Sequence, residues 1–302
     1  MKKDLLSVYD LDREDIRVIF QNAVKLKKMQ QDGETYTPLK GKTLGMIFDK
    51  SSTRTRISFE VGMYQLGGLA LFLSSRDTQL GRGENIPDTA RIMSRYLNGI
   101  MIRTYSQELV EEVARHSTIP VINGLTDREH PCQILSDLFT VMEKKGDYKG
   151  LKIAYIGDGN NVANSWIDAA ARLPFQLAFA CPEGYEPDQF ILKRGMREAE
   201  KGITVYRDPV DAVHDADVVY TDVWTSMGQE AEQDARKRIF RDYQINKTLL
   251  SHARKDVMVM HCLPAHRGEE ITSDVIDGPH SVVIDQAENR LHVQKAIMEI
   301  LM

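Results

Sequence analysis

Cysteine is scarce and unpatterned. Cys132, Cys181 and Cys262 form an odd set with no C-x-x-C pair, which excludes a disulfide framework and a cysteine zinc site and suits a reducing compartment. The 8 histidines are scattered without H-E-x-x-H or a similar spacing, so no metal is expected. Long apolar runs are missing as well. No stretch approaches the ~20 residues of a membrane-spanning helix, and Met1-Lys2-Lys3-Asp4 leads straight into a charged helical pattern with no signal-peptide core. A cytoplasmic protein without a membrane partner is expected. Positive charge is not in excess either: a net charge of -5 argues against nucleic acid as a partner, so local clusters of arginine must serve something small. Low-complexity tracts and internal repeats are absent. With 42% hydrophobic and 27% charged residues the chain reads as an ordinary globular enzyme.

The 302 residues fit two domains of about 150 residues each. Asp12 is placed as an N-cap, and Ile16, Phe20, Ala23 and Leu26 then recur at helical spacing up to about Gln30. Apolar runs at 44–48, 69–73, 99–102 and 119–122 alternate with helical patterns near 57–66, 88–97 and 107–115, the rhythm of a parallel α/β sheet. A helix from Gln133 to Lys144 leads to a second series, with strands expected at 151–156, 176–180, 203–206, 217–221, 257–260 and 281–284. The expected fold is α/β: two domains, each a central parallel sheet flanked by helices, with an active site in the cleft between them. The domains are drawn at 1–132 and 148–285, joined by a linker helix at 133–147. A closing helix, 286–302, is assigned back to the first domain.

Ligands of open α/β sheets gather beyond the carboxyl ends of the strands, so polar residues directly after apolar runs carry the chemistry. Ser52-Thr53-Arg54-Thr55-Arg56 follows the 44–48 run and opens a helix. Unpaired N–H groups, the positive end of the helix dipole and planar guanidinium forks make it a phosphate site; an ordinary Ser/Thr cap with surface arginines is the alternative. Arg103 ends the 99–102 run, where a buried arginine needs an anion or an ion-pair partner. Pro131 forces His130 out of the helical region and suits the first helical position. His130 can then donate to a carbonyl oxygen, with Gln133 a turn later; a lone His-Pro is more often a plain helix cap.

Gly157-Asp158-Gly159-Asn160-Asn161 resembles a nucleotide-binding turn but lacks G-x-G-x-x-G, which disfavours NAD. Asn161 at a helix start can meet a carboxylate. Asp222, after the 217–221 run, is placed to hold an ammonium group, and Ser226-Met227-Gly228 follow it in a glycine-containing loop. His261-Cys262-Leu263-Pro264 puts a thiol and carbonyls at another strand end, although a buried inert cysteine is the commoner meaning of one such residue. Arg290 opens the terminal helix and either reaches toward the site or covers the surface.

Taken together, the S-T-R-T-R run at 52–56, His130-Pro131-Cys132-Gln133, Asp222 with Ser226-Met227-Gly228, and His261-Cys262-Leu263-Pro264 resemble the ornithine branch of the carbamoyltransferase superfamily across nearly the whole chain. The last two motifs separate it from the aspartate branch. The resemblance implies transfer of a carbamoyl group from carbamoyl phosphate to L-ornithine, giving L-citrulline and phosphate without a cofactor. By it, Ser52, Thr53, Arg54 and Thr55 bind phosphate, Arg103 bridges phosphate and carbonyl oxygen, and His130 with Pro131, Cys132 and Gln133 holds the carbamoyl group. Cys262 and the Leu263 carbonyl contact its amino end, and Arg290 closes the site. Asn161 takes the ornithine carboxylate, Asp222 its α-ammonium, and Ser226 and Met227 fold over it. Arg54, Arg103, His130, Asp222 and Cys262 are the catalytic set, with no general base assigned. The family is trimeric, so Gln79, helped by Arg82, is expected to reach a neighbour's carbamoyl phosphate. Ser51 stands where proline often precedes the run, a departure that removes no ligand. Rival readings are an aspartate or putrescine carbamoyltransferase, a catabolic rather than biosynthetic direction in arginine metabolism, and a non-catalytic amino-acid-binding regulator.

Overall fold

The computed structural model describes residues 2–74, 85–225 and 230–302. It divides into two compact units, Met1–Phe139 with Glu288–Met302, and Thr140–Ala287. In the first, strands β1 (Thr43–Phe48), β2 (Leu69–Ser74), β3 (Gly99–Arg103) and β4 (Val121–Leu125) alternate with helices α1 (Arg13–Gln31), α2 (Thr53–Gln65), α3 (Ile86–Tyr96), α4 (Gln107–His116) and α5 (Pro131–Lys145). In the second, β5 (Lys152–Ile156), β6 (Gln176–Ala180), β7 (Ile203–Tyr206), β8 (Val218–Thr221) and β9 (Met258–His261) are interleaved with α6 (Asn161–Arg172), α7 (Gln189–Glu198), α8 (Pro209–Val213), α9 (Gln233–Ile239), α10 (Lys247–Leu250) and α11 (Ser273–Ile276). Helix α12 (Val283–Leu301) follows; the division between the units falls within α5 and α12.

Both sheets are parallel, ordered β2-β1-β3-β4 and β7-β6-β5-β8-β9. The central strands are apolar along their whole length because helices cover both faces. Ile100, Met101 and Ile102 of β3 are fully buried, as are Ile153, Ala154, Tyr155 and Ile156 of β5. Helix α1 begins as its sequence predicts: Asp12 accepts the Asp15 N–H at 2.8 Å and Asp15 returns the bond to the Asp12 N–H, while Ile16, Ile19, Phe20, Ala23 and Leu26 face the core.

Each sheet reverses its winding once. The reversal lies between β1 and β3 in the first unit and between β5 and β8 in the second. At such a point the loops leaving the two strands diverge to opposite faces and open a crevice at the carboxyl edge. At the carboxyl ends of these four strands lie Ser52 with Arg54 in the first turn of α2, Arg103 as the last residue of β3, Asn160 with Asn161 at the start of α6, and Asp222.

The run 281–284 is not a strand, contrary to expectation. Ser281 makes a single parallel bridge to Val259, and Val283 already begins α12. Ser281 with three apolar residues, Val282, Val283 and Ile284, is compatible with either state; Val283 packs into the second unit's core while Ile284 is 74% exposed. The backbone runs on from there as helix to Leu301.

Candidate active site

In the first unit, Ser52 sits in extended conformation as the N-cap of α2, its hydroxyl accepting the Thr55 N–H at 3.2 Å. The Thr55 hydroxyl, fully buried, accepts from Arg290 Nη2 at 2.8 Å. Arg290 therefore turns inward from α12 onto the first turn of α2. Successive residues on a helix are about 100° apart, so Arg54 and Arg56 leave α2 on nearly opposite sides. Arg56 pairs with Glu60 at 3.0 Å and lies over the Phe72 ring at 3.9 Å. The second arginine of the run thus does not join the first, against the paired guanidinium forks expected there.

Arg103 closes β3 at a register shift against β4, between Ile102 and Arg103. The extra residue at that shift is Gly124, on β4, and Arg103 is 7% exposed. The loop before α5 is tied down from within. Thr126 Oγ1 donates to Gln107 Oε1 at 2.7 Å and accepts the Glu129 N–H at 3.0 Å, while the Thr126 N–H donates to the Glu129 carbonyl at 2.8 Å. His130 is delivered from this loop directly ahead of Pro131, and its carbonyl accepts the N–H groups of Gln133 and Ile134.

Burial holds the His130 imidazole well below the ordinary histidine range, and the guanidinium groups of Arg290, Arg103 and Arg54, in that order, push it further. Three arginines from three elements thus lie near enough to this ring to act on it electrostatically. Gln133, one turn along α5, donates to Asp137 at 2.8 Å, and its amide oxygen has no partner among the described residues. Cys132 belongs to the core. Its thiol is aimed at the Asn123 carbonyl at 3.4 Å, and burial pushes it up to about 12, so it is no nucleophile near neutral pH.

In the second unit the turn after β5 meets the turn after β8. Asn160, not Asn161, caps α6: its Oδ1 accepts from Val162 N at 3.0 Å, Ala163 N at 3.2 Å and the Tyr155 hydroxyl at 3.1 Å. With the oxygen so engaged, the amide nitrogen faces Asp222 and donates to Oδ2 at 2.7 Å. Asp222 Oδ1 accepts the Val223 N–H and the Cys262 thiol, both at 2.8 Å. Asn161 is the first residue of α6, half-buried beside this cluster. Asp158, in the same turn, is raised to about 6 by burial despite its ion pair to Arg236 at 3.2 Å.

The neighbouring strand end supplies His261, Cys262 and Leu263. His261 Nδ1 accepts the Leu263 N–H at 2.8 Å and Nε2 lies 3.1 Å from Glu270 Oε1. Asp222, His261 and Cys262 bring possible metal donors within 4.8 Å of one another, as do His266, Glu269 and Glu270. In the first group every donor is already engaged in a hydrogen bond inside the protein.

The sequence pointed to Arg54, Arg103, His130 and Arg290 separately, and the fold brings them together; it likewise joins Asp222 to Cys262. Asn160, Thr126, Gln107 and Glu270 were passed over. Asn160 carried one signal, an Asn directly before a helix; the others carried none. Gln79, Arg82, Ser226, Met227 and Gly228 lie outside the described residues.

Comparison with known proteins gives concordant matches. The family model described as "Aspartate/ornithine carbamoyltransferase, carbamoyl-P binding domain" matches residues 3–143, and "Aspartate/ornithine carbamoyltransferase, Asp/Orn binding domain" matches 149–301. The ornithine carbamoyltransferase of Syntrophus aciditrophicus is 74% identical over 301 residues, covering 100% of both chains. Among solved structures, ornithine carbamoyltransferase from Pyrococcus furiosus superimposes with a TM-score of 0.96 at 55% identity, covering 99% of this chain and 96% of that one. The anabolic ornithine carbamoyltransferase of Campylobacter jejuni does so with 0.93 at 41% identity, covering 100% and 99%. With two parallel-sheet units, an arginine-ringed histidine in one and an acidic, amide-lined turn in the other, and with both family models matched along almost its full length, the chain belongs to the aspartate/ornithine carbamoyltransferase family.

Proposed function

We propose that the protein transfers the carbamoyl group of carbamoyl phosphate to the δ-amine of L-ornithine, releasing phosphate and L-citrulline. The observation that carries this reading is the neutral imidazole of His130 within reach of three guanidinium groups. Such a ring suits a dianionic phosphate, and a neutral imidazole can donate a hydrogen bond to a carbonyl oxygen. The relatives named ornithine carbamoyltransferase support the choice of acceptor.

In this reading the first turn of α2, with Ser52, Thr53, Arg54 and Thr55, takes the phosphate, and Arg290 steadies it through Thr55. Arg103 bridges phosphate and carbonyl oxygen, while His130 and Gln133, framed by Pro131 and Cys132, take the carbamoyl group. Cys262 and the Leu263 carbonyl take its amino end. Asn161 receives the ornithine carboxylate and Asp222 the α-ammonium; Gln79, Ser226 and Met227 complete the site from segments outside the described residues. A δ-ammonium has an ordinary value near that of lysine, about 10.4, so it must shed a proton before its nitrogen attacks the carbonyl carbon. As the C–N bond forms, charge gathers on the carbonyl oxygen and then on the phosphate oxygen as the C–O bond breaks. Arg103 and His130 answer the first, and Arg54 the second.

The same reading makes the protein a homotrimer working in arginine biosynthesis in the cytoplasm. For the trimer, β2 is the edge strand of its sheet, and Leu69, Leu71 and Phe72 on it, with Ile57 and Tyr64 of α2, are exposed, an apolar surface that calls for a partner. For the direction, the Campylobacter jejuni protein is named anabolic; for the compartment, all three cysteines are free thiols. No helix among the described residues is long and apolar enough to cross a membrane.

The test offers carbamoyl phosphate with ornithine, putrescine, N-acetylornithine or aspartate to protein whose mass in solution is measured alongside. Citrulline from ornithine well ahead of the other products, made by a species of three chains, is the expected result. Preference for putrescine would remove the roles of Asn161 and Asp222, and no turnover with any acceptor would overturn the reading.

A further inference from the structure

The turn after β9 is held from behind. Leu263 has φ of 57°, a left-handed conformation that a residue with a branched side chain adopts only when its surroundings over-determine it. What determines it here is the ring of His261, 1% exposed: Nδ1 accepts the Leu263 N–H at 2.8 Å. A nitrogen that accepts carries no proton, so the ring proton sits on Nε2 and is donated to Glu270 Oε1 at 3.1 Å. Glu270 is fully buried and the same oxygen accepts the His266 N–H. The segment from Cys262 to Glu269 therefore departs from and returns to one buried carboxylate, and its first product is the placement of the Cys262 thiol 2.8 Å from Asp222 Oδ1.

We propose that Glu270 and His261 are positioning residues: Glu270 locks the Nε2–H tautomer of His261, His261 locks the left-handed Leu263, and the locked turn aims the Cys262 thiol and the Leu263 carbonyl at the reacting group. Neither residue touches substrate. The consequence for turnover rests on the carbamoyl-transfer reading above; the consequence for the Cys262 thiol does not.

Two substitutions separate the parts of the imidazole. The amide oxygen of His261→Asn falls where Nδ1 was and keeps an acceptor for Leu263, whereas His261→Gln reaches the Nε2 position, keeps the link to Glu270 and abandons Leu263. Alkylation of Cys262 by iodoacetamide, read residue by residue by mass spectrometry, reports the turn through thiol access. Initial rates with carbamoyl phosphate and ornithine report the chemistry. His261→Gln is expected to label about 10-fold faster at Cys262 and to lose about 100-fold in kcat, the scale of a small misplacement of a reacting group. His261→Asn, which keeps the acceptor for Leu263 but loses the tie to Glu270, is expected to fall between His261→Gln and the unsubstituted protein in both.

If a histidine variant does not fold, Glu270→Gln, which keeps an oxygen for both N–H groups, and Glu270→Met, which does not, should show the same contrast. Equal labelling and equal rates within a pair would overturn the proposal, since a merely structural role does not distinguish the two nitrogens. Should the unsubstituted protein transfer no carbamoyl group, the function is wrong and the labelling contrast alone decides the positioning.

Discussion

Arg54, Arg103, Arg290 and His130 show how little a residue's type says before its neighbours are known. Arg56 is chemically identical to Arg54 and two positions away, yet it stacks on Phe72 and pairs with Glu60. Arg103 is the sharpest test of the proposed anion site, because it closes β3 almost wholly buried, where an arginine needs an anion or an acidic partner. Arg103→Ala should lower kcat by about 100- to 1000-fold, as for loss of one donor to a developing oxyanion. Arg103→Lys should recover little, because a single ammonium cannot bridge two oxygens as a planar fork does. Steady-state rates for the two variants check this, and a kcat near that of the unsubstituted protein in either would remove Arg103 from the site. Arg103 was legible in sequence because it directly follows an apolar run, Arg54 because it sits in a hydroxyl-rich helix start, and His130 because Pro131 follows it. Asn160 was not distinguished from Asn161, since its meaning lies in a bond to Asp222, 62 residues onward.

At the scale of elements, the turns do more than the strands. Gly157 has φ of 138° and needs glycine for its backbone alone. Gly159 needs it for space: a Cβ there would run into the backbone of Glu186 and Pro187. The pair bends the turn so that Asn160 can both cap α6 and hold Asp222. Gly159→Ala should cost about 1–3 kcal/mol, the range for forced overpacking, seen as a lower urea midpoint. An unchanged midpoint would mean that the 186–187 segment yields freely. Parallel strands were readable from their apolar runs, and helix starts from Asp12, Ser52 and Pro131. The run at 281–284 misled because a serine and three apolar residues are too few to reveal their own period; the helix that continues from Val283 to Leu301 settles it.

For the molecule as a whole, buried histidines set the response to acid. Burial and the three arginines keep His130 neutral, and burial with the nearby Lys295 lowers His292 to about 4. An unfolded chain protonates both near pH 6.5, so below that pH the unfolded state binds more protons and stability falls as pH falls. Asp158, raised to about 6, works in the opposite sense by taking up its proton earlier in the folded state. His292→Gln should therefore flatten the acid loss by at most about 1.4 kcal/mol per pH unit between pH 6.5 and 4. Urea midpoints of both proteins from pH 5 to 7 measure it, and parallel curves would show that His292 does not stay neutral in the fold. Local chemistry was enough to establish an α/β protein of two parallel sheets and to single out candidate anion-binding and amine-binding residues at strand ends, because hydrophobic period, caps and proline act over a few neighbours. Tertiary structure alone decided that Arg290 turns onto Thr55, that Arg56 turns away, that Asn160 rather than Asn161 grips Asp222, and that Glu270 stands behind Cys262. Those pairings join residues far apart in the chain, and nothing in a local pattern encodes which of several equivalent side chains the sheet order will bring face to face.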